Sequence, residues 1–277
     1  MERQRQSGTV LISTAVILCL ASFGMGFSFG ALFRSGSAQP PAPQQSVPAV
    51  QPPRQGSAEN GAGEIGQEIA RLRQAALSSP GEARLWTRLG DACYDAGDPD
   101  GAIEAYGRSL LLEPSNADVR TDKGTMHRMR GEPEAAVRCY EEALGYAPAH
   151  KNAIFNKGIT MLIDLERAAE AVRFWKDVTT SHPGFTLSNG KELSRIMPEL
   201  CVGAAQELEQ RGRLDAALSA CAEALRLDPV FLPALTRRAW LLEKQRSPEA
   251  QSAWRAVTEA SPDALDPEGK PAREHIR

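Results

Sequence analysis

The feature that most restricts this chain is the spacing of six prolines, Pro80, Pro114, Pro148, Pro183, Pro229 and Pro262, at intervals of 34, 34, 35, 46 and 33 residues. Each follows a stretch whose apolar residues recur at helical spacing, and no run of Val, Ile or Thr alternates with polar residues as a half-buried strand would. A period near 34 with Pro closing each unit predicts helical hairpins that stack into a solenoid, because one hairpin cannot bury its own apolar face. The expected fold is all-α.

The residues inside each period resemble the tetratricopeptide repeat (TPR) family, whose unit carries Trp, Leu-Gly and an aromatic on its first helix, then Ala, an aromatic, Ala and Pro on its second. Residues 83–116 show Trp86, Leu89, Gly90, Ala102, Tyr106 and Pro114; 117–150 show Gly124, Ala136, Tyr140, Ala143 and Pro148. The third unit, 151–185, has Gly158, Ala171, Trp175, Val178 and Pro183, with one extra residue between its helices. A fourth, 198–231, has Ala205, Gly212, Ala217, Ala224 and Pro229; a more diverged fifth, 232–264, keeps Ala239, Ala250, Trp254, Val257 and Pro262. The resemblance implies a right-handed superhelical solenoid of about five repeats. Gly90, Gly124 and Gly158 are expected to let the second helix approach where Ala102, Ala136 and Ala171 sit. Glu64–Ser78, with Ile65, Ile69, Leu72 and Ala76 on one face, is expected to cap the array. Residues 184–197, with the turn pair Asn189-Gly190, read as an inserted loop, and the tail 263–277 as extended.

Ahead of the array, after a short tail at residues 1–7, residues 8–33 carry no charged side chain over 26 positions. About 20 apolar residues suffice to cross a bilayer, so this segment is expected to be one transmembrane helix preceding the solenoid, contacting lipid. Its apolar core exceeds the roughly 7–15 residues of a cleavable signal peptide, so an uncleaved anchor is preferred. Gly26 and Gly30 form a GxxxG that could pair two such helices in a homodimer. Residues 34–63, rich in Pro, Gln, Ala, Gly and Ser, read as a disordered tether. Arg3, Arg5 and the terminal amine outweigh Arg34, which orients the N-terminus inward. The expected location is therefore a bacterial inner membrane, single pass, with the array in the periplasm.

The search for chemistry excludes more than it finds. A net charge of -3 offers no basic face for phosphates, so no nucleic-acid partner is expected. HExxH, GxSxG, Walker A and EF-hand patterns are lacking, and His127, His150, His182 and His275 are scattered along the chain without metal-ligand pairing. Five cysteines contain no CxxC. Cys93 and Cys221 read as apolar fillers, while Cys201 and Cys221, on the two helices of one unit, could pair in an oxidising compartment. No cofactor, metal or catalytic residue is expected, and the chain reads as a non-enzyme.

The function is then expected on the surface, in the concave groove lined by the first helices of the units. The resemblance places Arg84, Arg88 and Asp91 in that groove from unit one, Asp122 from unit two, and Asn152, Phe155, Asn156 and Ile159 from unit three. Trp240 of unit five lies on the same side, or else under the tail. Thr87, Asp91 and Asp122 stand where carboxylate-binding members carry a basic clamp, so an acidic tail is a poor ligand. The expected partner is a protein or peptide, and the expected role a membrane-anchored scaffold similar to envelope-assembly TPR proteins, including accessory subunits of cytochrome c maturation. An accessory subunit of a membrane enzyme or of a secretion or pilus complex, and a cytosol-facing receptor, are the alternatives.

Overall fold

The computed structural model describes residues 57–276. The chain divides between Gln67 and Glu68 into two compact units. Of the first, the described part is the opening of helix α1 (Ser57–Ser78), which begins inside the stretch expected to be tether. The second unit holds the rest of α1 and five helical hairpins. These are α2 (Ala83–Asp95) with α3 (Pro99–Leu112), α4 (Ala117–Met129) with α5 (Pro133–Tyr146), α6 (Lys151–Ile159) with α7 (Ala168–Ser181), α8 (Leu193–Gln210) with α9 (Leu214–Leu227), and α10 (Leu232–Lys244) with α11 (Ala250–Ala260).

The expected transmembrane helix, and with it the single-pass inner-membrane placement and periplasmic array, is corrected: among the described residues no helix is long and apolar enough to cross a membrane. The physical reason is charge. The longest helix, α1, spans 22 residues but includes Glu59, Glu64, Glu68, Arg71 and Arg73, and its neighbours are likewise amphipathic. The proposed span 8–33, its lipid contact, and the Gly26/Gly30 dimerisation pair lie outside the described residues. The fold is an all-helical solenoid.

Local chemistry sets the helix boundaries. Asp98 caps α3 by accepting from Gly101 N at 3.0 Å, with Pro99 in the first turn where its missing N–H costs nothing. Asn116 accepts from Val119 N (3.1 Å) to start α4, and His150 Nδ1 accepts from Ala153 N (3.2 Å) to start α6. Between the two helices of every hairpin the chain passes through one residue of positive φ, Gly97, Gly131, Glu166, Gly212 and Arg246 in turn. In four of the five hairpins the next amide bonds back five residues, as Asp98 N does to Cys93 O (2.9 Å), which closes the helix end. The third hairpin differs. Its extra residue is absorbed as a π-helical turn, Thr160–Asp164, so Arg167 N reaches back six residues to Met161 O (2.8 Å).

The core is a row of contacts between paired helices. Trp86, Leu89, Tyr106, Leu110 and Met126 form one cluster with Leu72 and Ala76 of α1. Ala136, Tyr140, Ala143 and Ala153 join the second hairpin to the third, and Trp254, Val257, Ala264 and Ala272 fill the last. The glycines meet the ring ahead of the alanine: a Cβ on Gly90 would lie 2.4 Å from Tyr106, on Gly124 2.6 Å from Tyr140, and on Gly158 2.1 Å from Trp175. Ala102, Ala136 and Ala171 are fully buried beside them.

The insert after Pro183 is shorter than 184–197, because α8 starts at Leu193 and carries Pro198 inside it. What remains is a small hairpin: Thr186 bridges Glu192, Leu187 N donates to Lys191 O (2.9 Å), and Gly190 makes the turn at φ 78. The tail is not simply extended either. Leu265 bridges Pro271, Asp266 N donates to Lys270 O (2.7 Å), Gly269 turns at φ 86, and a 3₁₀ turn follows at Ala272–His275. The insert leaves the array continuous, since α7 packs on both α8 and α9. Asp164 accepts from Arg128 Nε and pairs with Arg211 (3.3 Å), and Glu166 accepts from Arg213 (2.8 Å), so the π-turn links the second, third and fourth hairpins.

Candidate functional site

The first helices of the hairpins carry the residues expected in the groove, and the structure gives them unlike surroundings. Arg84 is exposed, and Arg88 stands 3.5 Å from Glu68 of α1. Asp91 accepts from the Tyr106 hydroxyl at 3.0 Å. Burial pushes the Asp91 carboxyl up, the Tyr106 bond opposes this, and Asp95 adds to it. The Tyr106 hydroxyl is in turn pushed well up, first by burial and then by Asp122 and Asp91.

Asp122 is the least compensated member. Partly buried on α4, its carboxyl is pushed up to about 7, by desolvation first and then by Asp91 and Asp118. Asp118 itself is exposed and faces His150 Nε2 at 2.8 Å. Asp91 and Asp122 sit on the first helices of adjacent repeats, and the Asp122 position is one helical turn short of the exact repeat of Asp91, which is Thr125. This half of the groove is polar and mixed in charge, with Arg84 and Arg88 toward the start of α2 and Asp91, Asp118 and Asp122 beside them.

Unit three supplies less open surface than expected. Phe155 and Ile159 are buried, at 8% and 6% exposure, and act as core. Asn156 Nδ2 donates to Thr125 Oγ1 (3.3 Å), and Thr125 faces the Tyr140 hydroxyl (3.4 Å). Asn152 Oδ1 accepts from Ser188 of the inserted hairpin (2.8 Å), while Lys151 reaches Thr186 (3.3 Å). The insert therefore folds over the start of α6 and occupies one edge of the groove there.

Trp240 is not gathered with these residues. Its Nε1 donates to Glu209 Oε1 at 2.9 Å, and its ring edge meets His275 of the tail, with centroids 6.5 Å apart. Glu209 was not singled out from the sequence. It also takes Arg237 (2.8 Å) and Lys244 (2.5 Å), and these two bonds with the indole's outweigh its burial and hold its carboxyl below the ordinary value. The signal for the three donors was legible, since 237, 240 and 244 share one helical face. The acceptor lies on another helix 28 residues earlier.

The cysteines Cys93, Cys139, Cys201 and Cys221 are free. Burial pushes the Cys201 and Cys221 thiols up to about 12, the state of inert core fillers. Among the described residues no group of His, Cys, Asp and Glu is placed to hold a metal ion.

Two family models, each described as the tetratricopeptide repeat, match residues 83–116 and 198–231. Neither describes an enzyme. No curated protein sequence matches the chain. Solved structures similar to it include YrrB, described as a TPR protein with an unusual peptide-binding site, at 18% identity, covering 69% of this chain and 93% of that one, with TM-score 0.42. MamA of Desulfovibrio magneticus RS-1 is 16% identical over 64% of this chain and 92% of its own, TM-score 0.42. PilW, a type IV pilus biogenesis factor, is 18% identical over 74% and 90%, TM-score 0.41. The matched segments are the α2–α3 hairpin and the α9 hairpin with most of α8, so the chain carries tetratricopeptide repeats, the units of protein-interaction scaffolds.

Proposed function

We propose that the concave face of the first two hairpins binds an extended segment of a partner protein, and that the chain works as a non-enzymatic scaffold. The observation that carries this reading is Asp122. It is a partly buried carboxyl beside Asp91 and Asp118, held up to about 7 by desolvation and by those two carboxylates, so a donor from outside the chain would be favoured there. A guest whose amides or cationic side chains reach that face supplies the missing donors. The narrower role of assisting cytochrome c or other envelope assembly rests on the resemblance, and the groove's side chains name no guest.

The test is charge reversal. Asp122→Arg is expected to abolish co-purification of the partner from the source cells, whereas Arg138→Asp on the opposite helix of the same hairpin leaves it intact. Equal loss from both variants, or none from Asp122→Arg, contradicts the reading.

A further inference from the structure

The last helix and the tail repeat an earlier part of the chain. Residues 168–197 and 247–276 align without a gap at an offset of 79, placing Trp175 on Trp254, Pro183 on Pro262, Gly190 on Gly269 and Lys191 on Lys270. The hairpins formed are the same. Leu193 N donates to Phe185 O (2.9 Å) in the first and Ala272 N to Ala264 O (2.8 Å) in the second, with matching bridges and turns.

Their grips on the array differ. The buried positions of the first copy are Phe185, Leu187, Leu193 and Met197, and each is apolar. The second copy has Ala264, Asp266, Ala272 and Ile276 there: smaller groups, and a carboxylate where leucine stood. Burying a carboxylate is unfavourable unless it is compensated. Asp266 Oδ1 accepts from Glu268 N and Lys270 N, both at 2.8 Å, and Oδ2 faces His275 Nε2 at 2.9 Å. The other ring nitrogen of His275 faces Glu243 Oε2 of α10 at 2.8 Å. Only the imidazolium donates through both nitrogens. Its ring stacks on Trp254 at 4.2 Å and 15° and meets the edge of Trp240.

We propose that residues 263–276 are a releasable strap over Trp254 and Trp240, latched by the charged His275 ring between Glu243 and Asp266. Loss of the ring proton leaves one nitrogen as an acceptor pointing at a carboxylate, which removes a charge-assisted bond and sets a lone pair against an anion. Among the described residues no neighbouring cation replaces it. Lys270 is taken by Glu268 (2.9 Å), Lys244 by Glu209 and Arg238 by Glu249 (3.0 Å), while Arg273 and Glu274 point to solvent. A further polar tie, Gln251 Nε2 to His275 O (2.9 Å), does not depend on charge. Release uncovers the indole face of Trp254, an apolar surface the first copy keeps covered at Trp175.

Amide hydrogen exchange on the full chain tests this, with the first hairpin as an internal control. Between about pH 5.5 and about 8.5, corrected for the intrinsic pH dependence of exchange, protection at 264–276 is expected to fall about ten-fold while 185–193 is unchanged. His275→Gln, with one neutral donor, is expected to be weakly protected throughout. Asp266→Leu, which restores the apolar grip, is expected to be protected and less sensitive to pH. A tail that keeps its protection, a His275→Gln tail protected like the parent, or equal losses from both hairpins overturns the proposal.

Discussion

Gly158 and the indole of Trp175 touch so closely that a Cβ on the glycine would lie 2.1 Å from Trp175 Cε2. The indole Nε1 also donates to Ile154 O at 3.3 Å, which fixes the ring in that position. Gly158→Ala must therefore push the hairpin apart, and a loss of about 1–3 kcal/mol is expected by urea denaturation. Gly203 is the contrast. It lies exposed inside α8 with nothing within 4 Å of a built Cβ, so Gly203→Ala is expected to gain about 1 kcal/mol.

The inter-helix turns make a second test. Arg246 holds φ 54 at the position where Gly97, Gly131 and Gly212 stand in three other hairpins. A left-handed conformation costs a residue with a Cβ roughly 1–2 kcal/mol. Arg246→Gly is thus expected to raise the melting temperature, and Gly97→Arg to lower it.

Asp122 makes stability depend on pH in an unusual direction. Its folded carboxyl is raised from an ordinary 3.8 to about 7, so between those values the folded chain holds a proton the unfolded chain has released. Its contribution is full below about 4 and is lost as pH rises to about 7. Asp122→Asn is expected to remove this slope and to be more stable than the parent at pH 8, by on the order of 1–2 kcal/mol given the residue's partial exposure. Glu209 and Asp266 act oppositely. Their carboxyls are held below the ordinary range, so their contributions are present above about pH 4.5 and 3.8 respectively and are lost as acid protonates them in the folded state.

The junction between the third and fourth hairpins rests on the π-turn. Asp164 pairs with Arg128 and Arg211, and all three come from different hairpins. Asp164→Ala strands the partly buried Arg128 guanidinium, while the exposed Arg211 keeps Glu207 at 3.1 Å, and is expected to cost about 1–3 kcal/mol. Amide hydrogen exchange of that variant is expected to show loss of protection concentrated at the junction of the third and fourth hairpins.

How much of this was legible follows from the range of the forces involved. The proline period and the helical spacing are local, so the hairpins could be read from residues a turn or a repeat apart, whereas the glycines were paired with Ala102, Ala136 and Ala171 and meet the rings of Tyr106, Tyr140 and Trp175 first. The extra residue of the third unit was visible as a count, but its resolution into a π-turn depends on Asp164 reaching α8. Asn152 and Trp240 read from the sequence as open groove residues, yet Ser188 and Glu209, supplied by other elements, take up their polar groups. The 79-residue duplication was hidden beneath the shorter period because its buried positions changed from Phe185, Leu187 and Leu193 to Ala264, Asp266 and Ala272. The uncharged run at 8–33 speaks to partition only. Among the described helices, charges on every one leave no membrane span.

The most direct test of the groove is photo-crosslinking in the source cells from a reactive residue placed at Arg88 or at Asp122, with Arg138 on the second helix as the control position. Mass spectrometry of the adducts is expected to show one partner protein joined through one contiguous, extended segment from both groove positions, and nothing from Arg138. The same partner recovered equally from all three positions, or adducts scattered over unrelated proteins, would contradict a binding groove on this face.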